Sequence, residues 1–351
     1  MHILNRFLIG AVALCLGGQA LAQPTDLNAP PNKEWRHKPT KVRLPPTLLN
    51  LQRQKVVSFG GNDTDVAGDY WSADGSETVT IYLYRNVGGN VPVWFDRART
   101  IINLVPEKYG TPISTGARPF TPRGQRATAG LMEIFTVSGK DFRSTGVMVL
   151  PVSGFYAKVR ASSNTRDAAG LEQLLLGAVN AMNWTSSWQE AEAAPVADCA
   201  SPLPPRAPAK MVAASSDDEM MSALIGGVVA QSVALEAKKA VPIAYCRERS
   251  PAQIPYGVYR PIGSANGFLL ALVDSGRTIS VGSSLITQIV AEQKKPNRVS
   301  VSHVEMEATS TFPDFETLPL PDQAFQLVQT GNPLSVASTW GDKRDLQIRA
   351  K

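Results

Sequence analysis

Histidine is the scarcest of the side chains that could run acid–base or nucleophilic chemistry in this chain, which holds three: His2, His37 and His303. A Ser-His-Asp or Cys-His machinery needs an imidazole beside its nucleophile. His2 lies in a segment that reads as a removable leader, and His37 in a proline-rich stretch with no hydrophobic period. His303 remains, within Val299-Ser300-Val301-Ser302-His303-Val304-Glu305, where alternation puts it on one strand face with Val301 and Glu305. A strand histidine of this kind is expected to be satisfied by its neighbours. The chain contains no G-x-S-x-G, S-x-x-K, H-E-x-x-H, C-x-x-C or G-x-x-x-x-G-K-[ST]. Serine hydrolase, β-lactamase-like, zincin, thioredoxin-like and nucleotide-binding readings therefore lack their usual sequence support.

Carboxylates offer two further possibilities. Asn62-Asp63-Thr64-Asp65-Val66-Ala67-Gly68-Asp69 gathers three carboxylates around a glycine at the sixth place counted from Asp63, a partial calcium loop. Ala67 stands where a third ligand belongs, and the twelfth place is Asp74 instead of a bidentate glutamate. A polar turn leading into a strand is the expected reading of Asp63, Asp65 and Asp69, and no metal or cofactor is nominated. Glu305 and Glu307 would share a strand face, but glycoside chemistry depends on a spatial separation that spacing alone does not specify. No catalytic residue is nominated either.

The cysteines depend on the compartment, and the N-terminus sets it. Arg6, the apolar run Phe7 to Gly18 and Ala20-Leu21-Ala22 form the three zones of a secretion signal, with cleavage expected between Ala22 and Gln23. The apolar run is shorter than the roughly 18 to 20 residues of a membrane anchor. The processed chain is thus expected to carry no transmembrane segment and to be periplasmic or secreted. Two cysteines then remain, Cys199 and Cys246, and an oxidising compartment predicts one disulfide between them. By loop-closure entropy a bridge over 48 residues is worth about 4 kcal/mol. Removing Arg6 leaves 34 cations against 30 anions, a formal charge of +4. With both signs mixed along the chain, no basic stripe for nucleic acid is present.

The elements that must position these residues fall into an α+β pattern. Residues 23–53 carry many prolines and read as a Pro/Lys-rich tail or linker, with cations clustered around Trp35 from Lys33 to Arg43. From 54 to 190, Val66 to Trp71 and Thr78 to Tyr84 predict a hairpin about the Asp74-Gly75 turn. Trp94, Ala98, Ile101, Ile102 and Val105 predict a helix capped by Asn90 with Pro92 in its first turn. Leu131 to Val137, Gly146 to Leu150 and Phe155 to Ala161 predict three strands, with Phe155, Ala157 and Val159 inward and Tyr156, Lys158 and Arg160 outward. Leu171, Leu174, Leu175, Ala178, Val179 and Met182 predict a closing helix.

This order, and especially Gly154-Phe155-Tyr156-Ala157-Lys158-Val159-Arg160-Ala161-Ser162 followed by the Leu171 to Trp184 helix, resembles the Mog1/PsbP-like α/β/α sandwich. The resemblance covers residues 54–188, rests on element order and carries no functional residue across. It implies an antiparallel sheet covered by helices and a non-enzymatic assembly or binding role.

Residues 191–214 are rich in Ala and Pro and are expected to link the first unit to a second, smaller α+β domain at 215–351. That domain is expected to open with a helix capped at Ser216-Asp217-Asp218-Glu219 and running to Lys239. A hairpin at Phe268 to Val281 and a strand at Val299 to Met306 follow. The whole reads as an exported non-catalytic envelope protein, a binding or assembly factor for an envelope protein or an anionic cell-envelope polymer. An envelope hydrolase with a carboxylate- or serine-based site is the alternative.

Overall fold

The computed structural model describes residues 24–139, 141–184, 191–212, 224, 227, 243–249, 251–283, 298–342 and 345–348. The leader and its Ala22–Gln23 junction lie outside these residues. So does the helix expected over 216–239, apart from Leu224 and Gly227, which are helical.

Two antiparallel sheets dominate, with few helices. The first sheet is assembled from β1 (Thr25–Asp26), β4 (Thr47–Leu48), β5 (Leu51–Ser58), β6 (Asp65–Trp71), β7 (Glu77–Arg85), β8 (Ile113–Ser114), β9 (Arg118–Phe120), β10 (Gly130–Thr136), β11 (Ser144–Val152) and β12 (Phe155–Ser163). β2 (Trp35–Arg36) and β3 (Arg43–Leu44) form a separate two-stranded ribbon. The main path runs β1-β5-β6-β7-β12-β11-β10-β8. The expected hairpin forms with Trp71 opposite Thr78, and β12 lies against β7 with Val159 opposite Ile81.

Period-two alternation puts Val79, Ile81, Ala157, Val159, Met148 and Leu150 on one face, where α3 (Ala168–Ala181) covers them with Leu171, Leu174, Leu175 and Ala178. The other face carries Val147, Val149, Leu131 and Phe135 and is covered by α1 (Val91–Asn103), followed by the short α2 (Pro106–Tyr109). The Asn90 side chain caps α1 by accepting from the Val93 amide at 3.0 Å, and Pro92 suits the first turn because its missing N–H would have no helical partner there.

The second sheet is a sequential meander of β13 (Tyr245–Arg247), β14 (Tyr256–Pro261), β15 (Phe268–Leu272), β16 (Thr278–Ser283), β17 (Val299–Val304), β18 (Ala308–Phe315), β19 (Ser335–Ser338) and β20 (Leu346–Ile348). The helix α4 (Pro321–Thr330) packs Ala324, Phe325 and Val328 on one face of it, against Val281, Val301 and Phe312. Tyr259, Leu269 and Ala271 on the opposite face join Trp94 and Ala98 of α1 in one apolar cluster. The helix α1 is therefore buried between the two sheets. Tyr156, Lys158 and Arg160, expected to point outward, do leave the α3 side, but the second unit buries the Lys158 position as well.

Two expectations are corrected. Residues 24–53 do not form a free tail: Val42, Leu44, Leu48 and Leu51 are fully buried in the first core. Leu44 fits because Gly68 has no side chain, a Cβ there falling 2.8 Å from Leu44 Cδ1. Arg53 fastens the segment by donating to the carbonyls of Leu44, Pro30 and Lys33 at 2.5, 2.6 and 2.7 Å. Residues 191–212, expected as a linker, form a strap along both units. The Ala193 amide donates to Thr128 O, Cys199 to Arg247 O, Val212 to Asp314 O, and Ala209 to Gln323 Oε1.

Candidate functional site

The residues singled out by type occupy separate places. His37 is fully buried; its Nε2–H donates to the Asp63 carbonyl at 2.7 Å and Nδ1 lies 2.7 Å from Thr40 Oγ1. Burial holds its pKa below the ordinary histidine value, against the pull of the Asp63 carbonyl. This imidazole pins the N-terminal segment to the 59–64 loop. His303 is buried among the apolar residues of the β17 face, and, contrary to the expectation that its neighbours satisfy it, its Nε2 meets no hydrogen-bond partner among the described residues. Burial lowers its pKa too, with Glu305 opposing and Arg277 adding to the effect.

The three aspartates of the partial calcium loop do not converge. Asp63 contributes its carbonyl to His37, Asp65 pairs with Arg277 at 2.9 Å, and Asp69 faces Lys55 at 3.9 Å. Burial pushes the pKa of Asp65 and Asp69 up, Arg277 and Thr80 respectively leading the opposition. Glu305 and Glu307 are not on a strand face: β17 ends at Val304, and both sit in the turn before β18. Glu307 reaches back to the first unit, accepting from Asn62 Nδ2 at 2.9 Å and Thr64 Oγ1 at 3.0 Å.

Cys199 and Cys246 form the expected disulfide, with Cα atoms 4.8 Å apart. It staples the strap to β13, and the residues beside each cysteine meet across it: Asp198 precedes Cys199, Arg247 follows Cys246, and the two bridge in parallel. Beside this staple opens a cleft of about 510 Å³, between α1 and the chain from Arg247 to Tyr259. A smaller recess of about 270 Å³ continues along α1 past Arg99, Thr100 and Asn103.

The chemistry of the cleft centres on Arg247. Its Nη1 donates to Asp96 Oδ1 at 2.8 Å, and the other Asp96 oxygen accepts from the Tyr259 hydroxyl at 2.7 Å. Asp96 is buried, and α1 carries it to the floor of the cleft. On the outer edge of the guanidinium, Nε and Nη2 both donate to Asp198 Oδ1, at 3.0 and 2.7 Å. Burial by itself would lower the Arg247 pKa; Asp96 and Asp198 outweigh it and raise the value. Burial, followed by Asp96, lifts Tyr259 well above the ordinary phenol range. Arg249 stands at the mouth with its Nε 3.8 Å from Asp198 Oδ2, and Glu248 turns away to pair with Arg260 at 2.9 Å. The guanidinium cation, held by one buried and one exposed carboxylate, can recognise an anion. No nucleophile stands beside a free base among the described lining residues.

Sequence reading passed over Asp96, Asp198, Arg247 and Tyr259. One signal could have found two of them: once Cys199 and Cys246 are paired, their neighbours Asp198 and Arg247 must lie side by side. Nothing local marks Asp96 or Tyr259, which meet only when β14 packs on α1.

Comparisons of the chain with protein-family models, with characterised proteins and with solved structures return no match.

Proposed function

We propose that this is an exported, non-catalytic envelope protein that works by contact, as a binding or assembly factor, with a first unit of Mog1/PsbP-like type. The observation that carries the reading is the cleft at Arg247, whose guanidinium is held by ion pairs at its inner and outer edges. That is a recognition chemistry. The disulfide suits an oxidising compartment. Among the described residues no helix is long and apolar enough to cross a membrane. The docked N-terminal segment supports the same reading, because Lys33, Arg36, Lys38, Lys41 and Arg43 all remain exposed while His37, Val42 and Leu44 face inward. These exposed cations, of which Arg43 pairs with Glu34 at 3.6 Å, suit an anionic envelope polymer or the acidic surface of an envelope protein, and each contact adds to an attraction that salt weakens.

The test places a photo-crosslinking residue at Ala252, on the cleft wall, in the full chain within cells. A discrete envelope adduct that disappears with Arg247→Met is the expected result. Hydrolase activity in a broad envelope-substrate panel, abolished by a cleft substitution, overturns the proposal. N-terminal sequencing of the exported product should begin at Gln23.

A further inference from the structure

Asp198 meets Arg247 through one oxygen only. An arginine binds a free carboxylate best as a fork on a fork, with Nε and one terminal nitrogen each meeting a different oxygen. Here both donors of the outer edge crowd onto a single oxygen, Oδ1, while Oδ2 points at Arg249 from 3.8 Å. The disulfide at the next residue and the Cys199 amide bonded to Arg247 O at 2.8 Å place the backbone of Asp198 beside Arg247, while its exposed carboxylate remains free to turn. The rest of the site is fixed. Asp96, 4% exposed at its side chain, holds the inner edge of Arg247, and the Tyr259 hydroxyl holds Asp96. By contrast, the side chains of Asp198 and Arg247 are 41% and 39% exposed, and that of Arg249 is 64% exposed.

We propose that the outer edge of Arg247 is a carboxylate-binding site and that Asp198 is its resident stand-in, displaced when a ligand carboxylate arrives. The ligand carboxylate seats one oxygen on Nε and the other on Nη2. Arg249 swings onto its outer face, and Asp198 moves into solvent. The ligand adds one negative charge to the cleft, which Arg249, now 3.8 Å from Asp198 Oδ2, is placed to offset. Two sources share this chemistry in an envelope: the C-terminus of a peptide and the uronate of an acidic polysaccharide. This deepens the cleft reading above and rests on it.

Chemical rescue tests the exchange on the processed full chain. Asp198→Ala should lower the thermal midpoint, and acetate should restore it where chloride at equal ionic strength does not. The wild type, its site already filled, should respond to acetate far less. Acetyl-alanine and glucuronate replace acetate in two further arms; the stronger of the two identifies the source. Adding Arg247→Lys to Asp198→Ala should abolish the response, since lysine offers a point charge without the fork. Asp198→Asn preserves side-chain shape and serves as a second background, in which calorimetry should find acetyl-alanine or glucuronate bound about tenfold tighter than in the wild type. Equal response to carboxylates and chloride in both backgrounds overturns the proposal. Rescue requires no cellular partner, so it can succeed where crosslinking at Ala252 fails, and the two failures are distinguishable.

Discussion

The two units meet through cations in two different ways. Along the seam between the sheets, Arg85 donates to the carbonyls of Met306 and Thr339 at 2.7 and 2.9 Å, and Arg97 to those of Val273, Gln253 and Ile254 at 2.7 to 3.0 Å. Lys158 donates to Asp274 O at 3.0 Å and to its carboxylate at 2.7 Å. All three cations come from the first unit, and most of their acceptors lie in turns of the second. Gly276 completes this fit. At φ +80 it lets the β15–β16 turn press on Tyr84 and Met306, where a Cβ would fall 2.5 and 2.6 Å from their atoms. In the cleft, Arg247 is half-exposed and ends on carboxylates. A buried cation such as Lys158 on Asp274 is closed to an incoming partner, whereas Arg247 on Asp198, both half-exposed, is not. The seam therefore holds the units together, while the outer ion pair of the cleft is open to solvent.

Arg97→Met should cost the most, on the order of 3–5 kcal/mol in urea unfolding, because it leaves three half-buried carbonyls without their donor as well as removing charge-assisted bonds. A cost below about 1 kcal/mol would break the distinction between seam and cleft. Cys199→Ser with Cys246→Ser should cost about 4 kcal/mol at most, a ceiling because the strap is also hydrogen-bonded. Amide exchange should then show the loss localised to Ala197–Cys199 and Arg247 while the first sheet keeps its protection.

Acid should act on a third region, the buried histidines. His37 and His303 both have folded-state pKa values below the ordinary one, so as pH falls through about 6.5 the unfolded chain takes up protons that the native chain refuses. Stability should decline from about pH 7 to pH 5, and His303→Leu should flatten part of that slope in urea midpoints. An unchanged slope would mean that His303 finds a proton acceptor on charging. The smallest effect belongs to Arg249→Ala, at most about 0.5 kcal/mol of stability, since an exposed ion pair at this distance contributes little. Its effect should appear instead in the carboxylate response.

Elements with a clear period were legible. The β6–β7 hairpin, the helix α1 with its Asn90 cap, the strands β10 to β12 and the helix α3 all appear where alternation or 3.6-residue spacing put them, because each buries one face by its own pattern. The segment 24–53 and the strap 191–212 were not, because they dock by single residues. Leu44 fills the space above a glycine, Arg53 gathers three carbonyls, and Ala209 meets Gln323; none of these contacts repeats along the chain. β14, β18 and α4 were missed as well, their apolar residues being interrupted by prolines and polar positions that suggest loop.

By itself, the sequence determined the antiparallel, sheet-rich character of the first unit and the pairing of Cys199 with Cys246. It also marked how few histidines are available for catalysis. Those conclusions follow from local periodicity, an even pair of cysteines and composition. Only the tertiary structure decided that α1 lies between two sheets, that His37 is a core residue, and that Asp96, Tyr259, Arg247 and Asp198 form one site. The reason is physical. Asp96 and Tyr259 are 163 positions apart, and what brings them together is the burial of α1 against β14, an energy that belongs to the packed whole and to no stretch of the chain.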